Sequence, residues 1–205
     1  DISGRSLSVV IPVKGGERYI EVSHENETEF EDEMEVFFND IEEARSTINA
    51  LSYLVQNTEA LRPEWNGYTD ALGFIASNLT EVRSGDEMIT YQFNYEESPS
   101  GLVELTIEHV DDDGESEKNT HSFYLADINP NIEMDVSSAE INLQLETREG
   151  TDFIRVSRNT KTTGYSSDLE LIMPSVDDAR NIKNACQYAI SESQLEIAEF
   201  TDPDN

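Results

Sequence analysis

Residues 34–55, MEVFFNDIEEARSTINALSYLV, recur in the same chain as residues 169–190, LELIMPSVDDARNIKNACQYAI. Laid over one another without a gap, the two share Glu35/Glu170, Ala44/Ala179, Arg45/Arg180, Asn49/Asn184, Ala50/Ala185 and Tyr53/Tyr188. Upstream, GGERYIEVS at 15–23 answers EGTDFIRVS at 149–157, with a one-residue change of offset in the loop between. Such self-similarity means that one supersecondary unit is used twice, and it bounds the fold before any other argument.

Each copy reads as strand, loop, strand, helix. Ile20 and Val22, like Ile154 and Val156, stand two apart on one strand face. Met34, Val36 and Phe38 alternate with other residues, as do Leu169, Leu171 and Met173, the pattern of a half-buried strand. Asn39 or Asp40 can cap the first helix and Ser175 the second, with Glu42, Glu43, Asp177 and Asp178 in the electropositive first turns. Ile41, Ala44, Ile48, Leu51 and Val55 form one apolar stripe; Val176, Ala179, Ile182, Cys186, Ala189 and Ile190 form the other. Each helix is expected to cover its own antiparallel sheet.

The copies are 150 − 16 = 134 residues apart, a normal domain length. The second full unit is then 68–195, preceded by a linker at 58–67 and followed by an acidic, disordered tail at 196–205. Residues 1–57 supply only the C-terminal half of a first unit, which predicts that the chain belongs to a longer protein. Within the second unit, a helix over residues 68–82 precedes six or seven short strands. The segment HENETEFEDE at 24–33 reads as an acidic loop, and Trp65 as an aromatic pinning the linker to a neighbouring core.

This order, FYLADINP into INLQLET, DFIRVS and LELIMP and then the DDARNIKNACQYAI helix, resembles the pleckstrin-homology-like barrel. The resemblance implies an α+β fold, a curled antiparallel sheet or barrel closed by a C-terminal helix, duplicated with its first copy incomplete. It also implies a scaffolding role. The loop between the first two strands is Glu96-Glu97-Ser98-Pro99-Ser100, without the basic residues of lipid-binding members, so phosphoinositide binding does not carry over. The chain is similar, too, to acidic secretion chaperones, which bind a basic client.

Charge narrows the function classes. The formal net charge is −31, from 44 acidic and 13 basic residues. A phosphate grip needs clustered Lys and Arg, so nucleic acid is excluded, as are anionic membrane surfaces. Either the acid is a solvated surface of the halophilic kind, or it serves basic partners or cations. On the first reading, molar KCl raises the melting temperature, because salt shortens the Debye length from about 8 Å to about 3 Å and screens exposed like charges. Melting that stays flat or falls between 0.1 and 2 M KCl contradicts it. No run is long and apolar enough for a membrane span, and the sequence leaves the compartment open.

Site chemistry is sparse. His24, His109 and His121 fall in no metal or catalytic spacing, and no phosphate-binding glycine motif occurs. The chain is therefore read as non-catalytic and without a cofactor. Asp111, Asp113 and Glu115 around Gly114 could offer oxygen ligands to Ca²⁺, or simply form a hairpin turn. Arg45, Asn49, Arg180 and Asn184, repeated on the helices away from the stripes, are the candidate partner-binding residues. The alternative is that each Arg pairs with a sheet carboxylate, Glu35 or Glu170. Cys186, the single cysteine, reads as a buried hydrophobe. The expected function is a protein-interaction module of a larger assembly. A secretion-chaperone-like binder and a Ca²⁺-dependent surface protein are the alternatives.

Overall fold

The computed structural model describes residues 7–12, 20–24, 27–58, 65–137, 140–159 and 161–201, and it builds the duplicated segments as the same hydrogen-bonded pairs. The chain divides into two units, Asp1–Glu64 and Trp65–Asn205. The first holds β1 (Leu7–Pro12), β2 (Ile20–His24), β3 (Glu27–Glu31), β4 (Glu33–Phe38) and α1 (Ile41–Thr58). The second holds α2 (Tyr68–Asn78), β5 (Glu81–Ser84), β6 (Glu87–Tyr95), β7 (Leu102–Val110) and β8 (Ser116–Tyr124). It continues with β9 (Glu133–Val136), β10 (Ile141–Glu146), β11 (Ile154–Arg158), β12 (Lys161–Ser166), β13 (Asp168–Met173) and α3 (Val176–Thr201).

The register repeats with the sequence. β1 pairs antiparallel with β4, setting Leu7 opposite Phe38, Val9 opposite Val36 and Ile11 opposite Met34. β10 pairs with β13 through Ile141–Met173, Leu143–Leu171 and Leu145–Leu169. The second pairing is the first displaced by 141 − 7 = 134 residues on one strand and 173 − 38 = 135 on the other. β2 and β3 place Ile20 opposite Glu31, as β11 and β12 place Ile154 opposite Ser166. The expected acidic loop at 24–33 is thus largely the strand β3, and β12 is a strand where none was expected. Neither has an apolar alternation, so period-two reasoning passes over both.

The class is α+β, with antiparallel sheets and a long C-terminal helix packed on them. The expected barrel is corrected: among the described residues no sheet is closed. In the second unit one sheet has the order β12-β11-β8-β7-β6-β5 and another the order β13-β10-β9. The chain leaves the larger sheet after β8, builds β9 and β10 elsewhere, returns for β11 and β12, and leaves again for β13. Closure would need an edge such as β5 to pair with β12, and instead they lie at opposite margins. The phenol of Tyr91, on β6, spans the two sheets. It donates to Ile172 O (3.1 Å) and accepts from Ile172 N (2.9 Å) on β13.

α2 and α3 pack against one another, and their buried residues Ala71, Leu72, Ile75, Ala179, Ile182, Ala185 and Ala189 join the core of this unit. Trp65 packs on Phe74 (5.9 Å between ring centres) and on Tyr188 (5.8 Å), as expected of an aromatic tied to a neighbouring core. Two boundaries differ from expectation. α2 stops at Asn78, which puts Val82 in β5. α3 runs to Thr201, so the segment assigned to the tail from Glu196 begins as helix. Linker residues 59–64 and tail residues 202–205 lie outside the described residues.

Candidate functional site

The helix starts are built alike. Asp40 Oδ1 accepts from Glu43 N at 2.8 Å and Ser175 Oγ from Asp178 N at 3.1 Å. Asp40 rather than Asn39 is therefore the first cap. These caps aim α1 back along the β1–β4 pair and α3 along β10–β13. The burial that follows is not alike. In α3, Ala179, Ile182, Ala185, Cys186, Ala189 and Ile190 are all buried. On α1, Ala44 is buried but Ile41 is 60 % exposed, Ile48 45 % and Tyr53 67 %. Of the stripe expected to be covered, Ala44 is buried, Leu51 is half-buried, Ile41 and Ile48 are exposed, and the Val55 side chain lies outside the described residues.

Between α1 and β1 this leaves an apolar groove of about 360 Å³, lined by Val9, Val10, Ile11, Pro12, Ile48, Leu51 and Ser52. Side chains along a strand point alternately to its two faces. Four consecutive lining residues therefore mean that the groove wraps the edge of β1 as well as one face. Ser52 is the single polar residue of the lining, so the groove offers mainly apolar contact.

The acidic turn forms a second cleft, about 470 Å³, lined by Glu87, His109, Asp111, Glu115, Ser116, Glu117 and Asn119. Three of its four carboxylates, those of Glu87, Asp111 and Glu117, are engaged locally. Asp111 Oδ1 accepts from Glu115 N at 2.8 Å, Gly114 N donates to Asp111 O at 3.0 Å, and Gly114 has φ +79°. This is a β7–β8 hairpin turn in which glycine supplies the left-handed position. Glu87 Oε2 is 3.2 Å from His109 Nδ1, and Arg158 pairs with Glu117. Among the described residues no group of three His, Cys, Asp or Glu is placed to hold a metal ion. Asp111, Asp113 and Glu115 are thus not brought together as ligands.

Arg45 bonds Glu42 Oε1 at 2.9 Å and Arg180 bonds Asp177 Oδ1 at 2.8 Å, each one helical turn back. Both of these ion pairs lie within a helix and neither is to Glu35 or Glu170, the sheet carboxylates named as the alternative. Asn49 is exposed and Asn184 half-buried. None of these four lines the groove or the acidic cleft.

Cys186 is buried, and desolvation pushes its thiol up to about 12, which leaves it protonated and inert at neutral pH. His121, expected on an edge-like strand, is on β8 in the middle of the larger sheet. Burial lowers its pKa, because charging a desolvated imidazole is unfavourable. The groove residues Val10, Pro12 and Ser52 carried no signal as a site. What could have found them is the duplication, since it makes β1 the counterpart of β10 and α1 the counterpart of α3. No protein-family model, no curated protein and no solved structure matches this chain.

Proposed function

We propose that this chain is a non-catalytic protein-interaction module of a larger assembly, and that its binding surface is the groove between β1 and α1. The observation that carries the reading is the lining itself. Six of its seven residues are apolar, and they stand on a strand that among the described residues pairs on one edge only, in a chain with a net charge of −31. A lining of this kind gains affinity by burying apolar area and by main-chain hydrogen bonds, and it presents no nucleophile, base or charged ligand set. The net charge of −31 favours a cationic partner by long-range attraction.

The test places a photo-reactive phenylalanine at Ser52 in the groove and, separately, at Asp113 in the hairpin turn. On irradiation in the source cell, the Ser52 variant should form adducts with another polypeptide and the Asp113 variant should not. Equal adducts from both positions, or none from either, contradict the reading.

A further inference from the structure

The larger sheet of the second unit has two unlike faces. Side chains alternate along a strand, and Ile89, Val103, Leu105, Phe123 and Ile154 all point into the core. Their strand neighbours point to the other side. The charged residues of that outer face are Glu81 and Arg83 on β5, Glu104 and Glu108 on β7, Lys118 on β8 and Arg155 on β11. Three are acidic and three are basic, so the face is neutral. The whole chain has 44 acidic and 13 basic residues, which leaves 44 − 3 = 41 against 13 − 3 = 10 elsewhere. The net charge of −31 therefore belongs entirely to the rest of the chain.

The centre of the face is uncharged and polar. Gln92, Thr106, Thr120, Ser157 and Thr162 stand opposite one another in a row across five strands. Thr106 Oγ1 and Thr120 Oγ1 are 3.0 Å apart, Ser122 Oγ donates to Glu104 Oε1 at 3.4 Å, and Arg155 Nη2 donates to Ser122 Oγ at 3.3 Å. These bonds tie side chains of neighbouring strands together, so donors and acceptors are held in place before a ligand arrives. Aromatic rings stand at one end. Tyr165, opposite Arg155, is 63 % exposed, and Tyr124, two residues from Ser122, is 49 % exposed. Phe153 is two residues ahead of Arg155, alternates with the buried Ile154 and is 51 % exposed.

We propose that this face binds an uncharged polysaccharide, in an extended conformation across the strands. Long-range repulsion from a charge of −31 turns away anionic polymers, and cations are drawn to the acidic remainder of the chain. A protein partner needs an apolar interface centre, and here the centre is threonine, serine and glutamine. A hydroxyl-rich neutral chain suits both features of the face. Its hydroxyls exchange hydrogen bonds with the polar row, and the apolar C–H faces of its sugar rings stack on Tyr124, Phe153 and Tyr165. Six strands about 4.8 Å apart span about 24 Å, which accommodates several sugar units. The assignment is independent of the groove in the first unit.

The probe is an immobilised panel of neutral oligosaccharides (glucans, mannans, galactans and chitin oligomers) beside sialylated and sulfated ones, followed by titration of the best-bound neutral hexasaccharide into the full chain. Tyr165→Ala and Phe153→Ala should each weaken that binding roughly tenfold, the loss of one stacked ring. Leu195→Ala on α3, 60 % exposed but off the sheet, should leave it unchanged. Because ligand and face are both neutral, affinity should vary less than about twofold between 0.1 and 0.5 M KCl. A preference for sialylated or sulfated glycans, no binding of any neutral glycan at millimolar concentration, or equal affinity of wild type and the aromatic variants overturns the proposal. So does self-association in place of glycan binding, if Tyr165→Ala abolishes it, since that assigns the face to a second copy of this chain.

Discussion

Replacing Leu72 by Ala is expected to destabilise the second unit by about 2–5 kcal/mol, the range for emptying a fully buried leucine site. Leu72 is on α2 and has no exposed surface. α2 packs on α3, whose inward residues include Ala179, Ala185 and Ala189. Alanines have no rotamers with which to fill a vacated volume, so the cavity persists and the cost should fall in the upper part of the range. The control is Leu195→Ala on α3 of the same unit, where the side chain is 60 % exposed and the change should stay within about 0.5 kcal/mol. Urea unfolding followed by tryptophan fluorescence reads the difference. Trp65 is the single tryptophan and packs on Phe74 and Tyr188 within the second unit. Equal effects of the two substitutions would mean that α2 is not part of this core.

Tyr91→Phe should cost about 1–3 kcal/mol, because it strips both partners from a backbone amide and carbonyl at once. Ile172 N and O meet the phenol at 2.9 and 3.1 Å, and the hydroxyl acts there as a substitute for a neighbouring strand. The same residue sets an alkaline limit. Desolvation outweighs its backbone hydrogen bond and pushes the Tyr91 phenol from 10.0 up to about 12. The native state thus holds this proton more tightly than the unfolded chain does. The contribution is complete below pH 10 and is lost as pH rises through 12. Wild type should therefore lose stability over that window more steeply than Tyr91→Phe does, and the gap between them should narrow. Parallel pH profiles would show that the phenol is not desolvated between the sheets.

Much of this chain is local and could be read from the residues. The duplication, the helix starts at Asp40 and Ser175, and the faces of β4, β10 and β13 all depend on short-range periodicity and capping. So does the Asp111–Glu115 turn, which takes the plain hairpin form open to an acidic Gly-containing sequence. The strands β3 and β12 escaped because their residues, ETEFE and KTTGYS, lack the apolar alternation that announces a strand. They are held by hydrogen bonds to β2 and β11, which any backbone can make.

What tertiary structure alone decided is which edges meet. Whether β5 pairs with β12 to close a barrel, or β9 with β10 to start a second sheet, is settled by long-range main-chain bonding that no residue pattern records. The same holds for burial on the helices. Ala50 and Ala185 are the same residue at the same repeat position, yet Ala185 is fully buried and Ala50 exposed. A side chain cannot encode whether a neighbour arrives to cover it. In the second unit α2 and β9 arrive against α3 and β10, whereas among the described residues β1 pairs with β4 alone.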